Sequence, residues 1–255
     1  MSPLQQTLRR MLRGGRPEAA PAPGGSLPQP VLDRHIIDRV RPFTMTSDER
    51  LQALIDAVRY CVRRGIHGAF AECGVWRGGS VLAMVLTLQE EGDEAREIHL
   101  FDTFEGMTAP TEHDVSALDP PALETWQAAQ EGEERPWSEL FHHEIYGEEQ
   151  VRETLLATGY PSANLKLVRG PVEDTLPRHA PAELALLRLD TDWYESTRHE
   201  LQHLYPRLAA GGVLIIDDYG HWDGARRAVD EYFERQAAPL LLNRIDYTGR
   251  IAVKH

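Results

Sequence analysis

Apolar residues form two alternating patterns along the chain, short uninterrupted runs and longer helically spaced stretches, and together these predict an α/β fold. The short runs predict buried strands, at 69–75, 98–101, 165–168, 184–189 and 213–216. Helical spacing predicts helices between them, one opening at Gly78-Gly79-Ser80 and others at 148–158, 196–208 and 225–235. Strands that alternate with helices pair in parallel, so we predict a doubly wound, mostly parallel sheet.

Both ends of this alternation have their own local patterns. Thr46-Ser47-Asp48-Glu49 has the form of a capping box with Thr46 at the cap, which predicts a helix that closes near Gly65. At the other end, apolar stretches at 240–245 and 250–253 flank Tyr247-Thr248-Gly249 and predict a terminal hairpin.

Two segments depart from the alternation. Residues 14–30 are rich in Pro, Gly and Ala, so we expect residues 1–30 to be a flexible tail and residues 31–255 to form the domain. The segment from about 106 to 146 contains four prolines and many acidic residues. An insertion of this length in a compact domain is usually a functional lid or a disordered excursion.

The composition excludes several classes of protein. Apolar residues make up 42% of the chain, enough for a core, and the net charge of −13 argues against general binding to nucleic acid or anionic membranes. Two cysteines in apolar surroundings favour a reduced, cytoplasmic protein over a disulfide framework. No apolar run has the length of a membrane span, and none follows the basic N-terminus as in a signal peptide.

Acidic residues follow nearly every predicted strand of the sheet. They are Glu72, Asp102, Glu173, Asp174, Asp190, Asp192, Asp217 and Asp218. Ligands of doubly wound sheets bind beyond the carboxyl ends of the strands, so these groups are expected to meet in one site. Carboxylates crowded together repel each other unless a cation offsets their charge, and their oxygens suit Mg²⁺ or Ca²⁺.

The first strand and its glycine turn suggest a second ligand. The glycines at 74, 78 and 79 would let a ligand approach the backbone, but their spacing differs from the dinucleotide fingerprint. Glu72 points to a ligand with a positive amino group, as in S-adenosylmethionine. Asp102, at the end of the second strand, is placed to accept hydrogen bonds from two ribose hydroxyls.

Five motifs in order resemble the macrocin O-methyltransferase family, whose members methylate sugar hydroxyls on macrolide and aminocoumarin antibiotics. The motifs are AECGVWRGGS, HLFDTFEGM, GPVEDTLP, LRLDTDWYEST and GGVLIIDDYGHWDGARRAVDEYF. The resemblance runs from about Pro42 to about Phe233. It implies a seven-stranded methyltransferase sheet with a reversed final hairpin, S-adenosylmethionine as the methyl donor and Mg²⁺ as the metal.

The resemblance also implies roles for individual residues. Asp190, Asp217 and Asp218 would bind Mg²⁺, and Asp192 would be the general base. Implied cofactor contacts are Met45, Glu72, Gly74, Ser80, Asp102, Thr103, Phe104, Val172, Glu173 and Asp190. Catechol O-methyltransferases, which resemble this chain in the layout of the metal loop, use a lysine as the base. Here the only lysines are Lys166 and Lys254, which favours Asp192.

The implied acceptor is a small natural product that carries a sugar, and we also expect a homo-oligomer. A phenolic or other non-sugar hydroxyl is the alternative acceptor. A metal-dependent hydrolase built from the same carboxylates is a further alternative, but it would not need Glu72, the glycine turn and Asp102 in that order. A binding domain that has lost catalysis would be expected to lose metal ligands.

Individual side chains have structural alternatives as well. Asp192 could cap the helix predicted from Ser196, or bind the metal through water. Asp102 could be structural. His221 is expected in the wall of the site because Mg²⁺ prefers oxygen ligands. Trp76 and Trp193 could line the pocket or belong to the core.

Overall fold

The computed structural model of the chain describes residues 32–133, 140, 147–236 and 239–255, and within them a seven-stranded sheet. The flexible tail predicted for residues 1–30 lies outside the described residues, as do 134–139 and 141–146 of the predicted lid. The strands are β1 Ala69–Cys73, β2 Ile98–Asp102, β3 Leu165–Arg169, β4 Leu184–Leu189, β5 Leu208–Ile216, β6 Asn243–Arg244 and β7 Arg250–Val253.

The sheet has the order β3-β2-β1-β4-β5-β7-β6. Strands β1 to β5 pair in parallel, whereas β7 is antiparallel to both β5 and β6. Strand β1, which lies between β2 and β4, is buried along its whole length, which explains its largely apolar run. The prediction of a mostly parallel, seven-stranded sheet with a reversed final hairpin is confirmed.

Helices cover both faces of the sheet, and each face has its own hydrophobic core. The helices are α1 Arg34–Val40, α2 Asp48–Arg63, α3 Gly79–Glu91, α4 Ala122–Gln130, α5 Glu148–Leu156, α6 Val172–Thr175, α7 Tyr194–His203 and α8 Asp223–Glu234. Helices α1, α2, α3 and α5 contribute to one core, and α6, α7 and α8 to the other. No helix in the described part of the chain is long and apolar enough to cross a membrane.

Several helix boundaries differ from the sequence prediction, most clearly the start of α2 and the end of α7. Ser47, not Thr46, caps α2, and its hydroxyl accepts a hydrogen bond from the Arg50 N–H at 3.2 Å. The Thr46 hydroxyl instead accepts one from Arg188 at 3.2 Å. Helix α7 ends at His203 because a 3-10 turn over Tyr205–Arg207 leads directly into β5, which begins at Leu208 rather than at 213.

The described part of the 106–146 insertion packs against the carboxyl end of the sheet. It contains α4, and Asp114 within it is buried. Asp114 Oδ1 accepts a hydrogen bond from the Tyr194 N–H at 2.7 Å, and so caps the N-terminus of α7 from outside that helix. Gly224 is needed here, because a Cβ at that position would lie 2.2 Å from Asp114 Oδ1. This described part of the insertion is thereby held over the loops that follow β4 and β5.

Candidate active site

A cavity of about 460 Å³ lies at the carboxyl ends of the parallel strands. The predicted site residues in its lining are Met45, Glu72, Gly74, Ser80, Asp102, Thr103, Val172, Glu173, Asp190, Asp192, Asp217 and Asp218. Phe104 is the exception, because its side chain is buried in the core beside α3. The sheet brings these residues together because loops after neighbouring parallel strands meet at one edge.

Glu72 presents a buried carboxylate to this cavity. It is 1% exposed, and its Oε1 accepts a hydrogen bond from Arg188 at 2.7 Å. Its Oε2 has no hydrogen-bond partner in the described part of the chain. Burial raises the pKa of Glu72 to about 8. A buried acceptor without a donor costs free energy, so this oxygen fits a ligand that carries an amino group.

Asp102 organises the two loops that border the cavity next to Glu72. Its Oδ2 accepts hydrogen bonds from the backbone N–H groups of Val75 at 2.6 Å and Trp76 at 3.0 Å. Its Oδ1 accepts one from the Phe104 N–H at 2.7 Å. The structural role that the sequence left open for Asp102 is therefore present. Its predicted contact with a ribose remains a prediction.

The glycines of the first turn allow protein segments to approach each other. Gly74 has φ +80°, and a Cβ there would lie 1.9 Å from the backbone oxygen of Asp190. A Cβ on Gly79 would lie 2.5 Å from the backbone oxygen of Phe43. The sequence interpretation assigned these glycines to the approach of a ligand. In the structure they bring the β1 turn against the β4 loop and the segment before α2.

Three aspartates form the cluster that the sequence predicts as a metal site. Asp190, Asp217 and Asp218 each offer one carboxylate oxygen, and these oxygens lie within 4.8 Å of one another. Burial raises the pKa of Asp218 well above its ordinary value. It also raises the pKa of Asp190 to about 7, although 27% of that side chain is exposed. Such crowding of hard oxygen donors fits Mg²⁺.

Two arginines, which the sequence analysis missed, share the charge of this cluster. Arg188 on β4 is 1% exposed and donates to Glu72 at 2.7 Å, to Asp190 at 2.6 Å and to Asp217 at 2.7 Å. Arg50 on α2 forms an ion pair with the other oxygen of Asp217. An arginine within the apolar strand LALLRL was the available sign, because a buried guanidinium requires carboxylate partners.

Asp192 lies beside the aspartate cluster in an unusual backbone conformation. Its φ is +65°, in the left-handed region. Its Oδ1 accepts a hydrogen bond from the Trp222 indole N–H at 2.8 Å, and its own N–H donates to Asp218 Oδ2 at 3.2 Å. Burial and the charge of Asp190 raise the pKa of Asp192 to about 8. A pKa near the working pH suits a group that exchanges a proton during a reaction.

The alternative that Asp192 caps a helix does not agree with these contacts. Helix α7 begins at Tyr194, and its first N–H donates to Asp114. Asp192 thus stays available to the cavity, while a residue of the insertion takes the capping role.

The wall beyond Asp192 is aromatic and polar. Trp193 and Trp222 pack edge to face with their ring centroids 5.1 Å apart, and both line the cavity. His221 also lines it, and its Nε2 lies 2.6 Å from Asp119 while its Nδ1 lies 3.1 Å from the Tyr247 hydroxyl. The expectation that His221 is a wall residue agrees with this geometry. Neither of the two lysines lies in the cavity lining.

Together, the sheet and its site define a class of protein. The seven-stranded sheet, parallel from β1 to β5 with a reversed β7, is the fold of Rossmann-like methyltransferases. A solved structure of the O-methyltransferase NovP resembles this chain with a TM-score of 0.69 and 28% identity, covering 83% of this chain and 82% of that one.

The chain belongs to the macrocin O-methyltransferase family, whose model, described as Macrocin-O-methyltransferase (TylF), matches residues 40–253. It is similar to the 8-demethyl-8-(2,3-dimethoxy-alpha-L-rhamnosyl)-tetracenomycin-C 4'-O-methyltransferase of Streptomyces olivaceus, with 35% identity over 233 residues, 87% of this chain and 80% of the relative. The Mycinamicin III 3''-O-methyltransferase of Micromonospora griseorubida is 30% identical over 214 residues, 81% of this chain and 76% of the relative. The resemblance seen in the sequence is confirmed, and the chain is an O-methyltransferase.

Proposed function

We propose that this O-methyltransferase transfers the methyl group of S-adenosylmethionine to a sugar hydroxyl of a glycosylated natural product, with Mg²⁺ as its metal. One observation carries the proposal. The cluster of Asp190, Asp217 and Asp218 lies in the same cavity as a buried oxygen of Glu72 that has no hydrogen-bond partner among the described residues. The cavity thus offers a cation site next to a site for the amino group of S-adenosylmethionine. This arrangement suits metal-assisted transfer of a methyl group to a hydroxyl.

The cofactor would lie along β1 and β2. Glu72 Oε2 would accept a hydrogen bond from its amino group, which offsets the cost of the unpaired oxygen. Asp102 already holds the loops after β1 and β2, so its carboxylate would have to share its oxygens with ribose hydroxyls. Glu173, at the start of α6, lines the same side of the cavity.

Asp190, Asp217 and Asp218 would hold the metal. Mg²⁺ bound there would supply Lewis acidity and orientation to the acceptor hydroxyl. Arg188 holds Asp190 and Asp217 in place from the buried side of the cluster, because it is 1% exposed and donates hydrogen bonds to both carboxylates.

Asp192 would act as the general base. Asp192 would take the hydroxyl proton while the acceptor oxygen receives the methyl group that S-adenosylmethionine would supply. The Trp222 indole N–H, 2.8 Å from Oδ1, orients the carboxylate, which also interacts with the side chain of Asp218. Burial and the charge of Asp190 raise the pKa of Asp192 to about 8. Mg²⁺ held by the neighbouring aspartates would lower it and favour the carboxylate form that a base requires.

A sugar acceptor is supported by the relatives and by the polar wall of the cavity. The Streptomyces olivaceus relative is named for a rhamnosyl-bearing tetracenomycin. In this chain Asp119, His221 and Tyr247 place hydrogen-bonding groups in the lining on the Trp222 side. A phenolic acceptor would need fewer such groups.

The test uses the purified protein with S-adenosylmethionine, Mg²⁺ and paired acceptors, each a glycosylated metabolite and its aglycone. We expect methylation of the glycosides, located on the sugar by fragment masses. Methylation of a phenol on the aglycones instead would contradict the sugar assignment. Calorimetry with S-adenosylmethionine separates the hydrolase alternative, which predicts no binding.

A further inference from the structure

Arg50 contacts a proposed metal ligand from the side of the cavity. It pairs with Asp217 Oδ2, lines the cavity, and its side chain is 14% exposed. Arg188 pairs with the other oxygen of Asp217, but it is 1% exposed and shared among strands β1, β4 and β5. The two arginines therefore differ: Arg188 is part of the buried framework, whereas Arg50 reaches the cluster from α2.

Arg50 is also held by a second acidic residue. Its Nε lies 3.0 Å from Asp246 Oδ2, and Asp246 accepts hydrogen bonds from the Ser47 hydroxyl at 2.8 Å and from the Gly249 N–H at 2.7 Å. Asp246 is 13% exposed and belongs to the turn between β6 and β7. Arg50 thus divides its charge between Asp217 and an anchored carboxylate of the final hairpin.

We propose that Arg50 lowers the affinity of the site for a divalent cation, because its guanidinium pairs with an oxygen of the proposed ligand Asp217. A positive charge beside a ligand carboxylate repels a bound cation and competes for the same oxygen. Asp246 moderates this effect because it draws part of the guanidinium charge away from Asp217. This inference rests on the metal site that the proposed function includes.

The test is a metal titration of the full-length protein by calorimetry, with Mg²⁺ and with Mn²⁺ as probes. Arg50→Met should bind either ion about tenfold more tightly, because it removes the competing charge. Asp246→Asn should bind either ion several-fold more weakly, because the positive charge of Arg50 is then no longer shared with Asp246 and acts on Asp217 alone. If Arg50 and Asp246 only maintained the structure of the site, both substitutions would weaken metal binding.

The double variant Arg50→Met/Asp246→Asn distinguishes the local contact from a general effect of charge. If Asp246 acts through Arg50, the Asp246 substitution should have almost no effect in the Arg50→Met background.

Arg63→Met is the control for a general effect of charge. It removes a positive charge from the same helix at a side chain that is 65% exposed, and should leave metal affinity unchanged. Arg50→Lys keeps the positive charge but loses the guanidinium that contacts Asp217 and Asp246 through different nitrogens, so it should bind the ions less tightly than Arg50→Met does.

Circular dichroism and melting curves establish that each variant is folded before titration. Tighter binding by Arg50→Met, with no added effect of Asp246→Asn, would support the inference. Unchanged or weaker binding by a folded Arg50→Met would overturn it, while the proposed metal site would stand. If the parent protein bound neither ion, both the metal site and this inference would be wrong.

Discussion

Asp192→Asn is the substitution that tests the proposed mechanism most directly. Asparagine is similar in size, tolerates the left-handed backbone at φ +65°, and keeps an oxygen that accepts the Trp222 indole N–H. It cannot take a proton from the acceptor hydroxyl. The proposed metal ligands Asp190, Asp217 and Asp218 are unchanged. The variant should therefore fold, bind S-adenosylmethionine and bind Mg²⁺ nearly as the parent protein does.

The expected loss is in kcat. Removal of a positioned base costs about 10²–10⁴-fold, which is about 2.7–5.4 kcal/mol of activation free energy. The cost to folding should be below about 1 kcal/mol, since the tryptophan hydrogen bond is retained and repulsion with Asp190 is relieved. A large kinetic effect with a small stability effect is the pattern that a base predicts.

The assay combines kcat at saturating Mg²⁺, its dependence on pH and the melting temperature. In the parent protein the rate should fall at low pH as Asp192 is protonated, and the variant should lack this dependence. Asp223→Asn is the control, because it removes one negative charge from a side chain that is 54% exposed. Recovery of the Asp192 variant at high Mg²⁺ would make it a metal ligand. A kcat within a few-fold of the parent value would refute the base assignment.

Three further predictions address the cofactor, the metal and folding. Chelation should abolish turnover and Mg²⁺ restore it, and Asp217→Asn or Asp218→Asn should each raise the Mg²⁺ concentration required; full activity in excess chelator would exclude the metal. Asp102→Ala should weaken S-adenosylmethionine binding by roughly 1–3 kcal/mol in calorimetry, and should also lower the melting temperature because three backbone N–H groups lose their acceptor. Arg59 holds the pKa of Asp33 below its ordinary value, so this pair stabilises the fold above about pH 4 and the stabilisation is lost as the pH falls. Asp33→Asn should therefore cost about 0.5–1 kcal/mol in urea unfolding at pH 7 and much less near pH 2, whereas an equal cost at both would contradict the argument.

Local sequence pattern was sufficient for the sheet and for most of the site. The predicted strand at 184–189 coincides with β4, because a strand buried along its whole length requires a continuous apolar run. The predicted strand at 250–253 coincides with β7, in which only Ala252 is buried. Acidic residues that directly follow strands must lie at one edge of a parallel sheet. Their meeting in one cavity could therefore be predicted without knowledge of the packing.

The helix boundaries were less accessible to such reasoning. Thr46 and Ser47 are both good capping residues, and the choice between them depends on Arg188, which takes the Thr46 hydroxyl from another part of the chain. The start of α7 likewise depends on Asp114, which is distant in sequence. Local propensity cannot include a partner that only the folded chain supplies.

The sequence by itself determined the order of strands and helices and the chemical character of the site, because the burial of strands and the positions of acidic residues are local properties. Only the tertiary structure decided how the charges are shared. Arg188 and Arg50 approach Asp217 from β4 and α2, and Trp222 orients Asp192 from the loop after β5. These contacts join segments that are far apart in the chain, so their distances follow from the packing of the whole domain and not from any pattern within one segment.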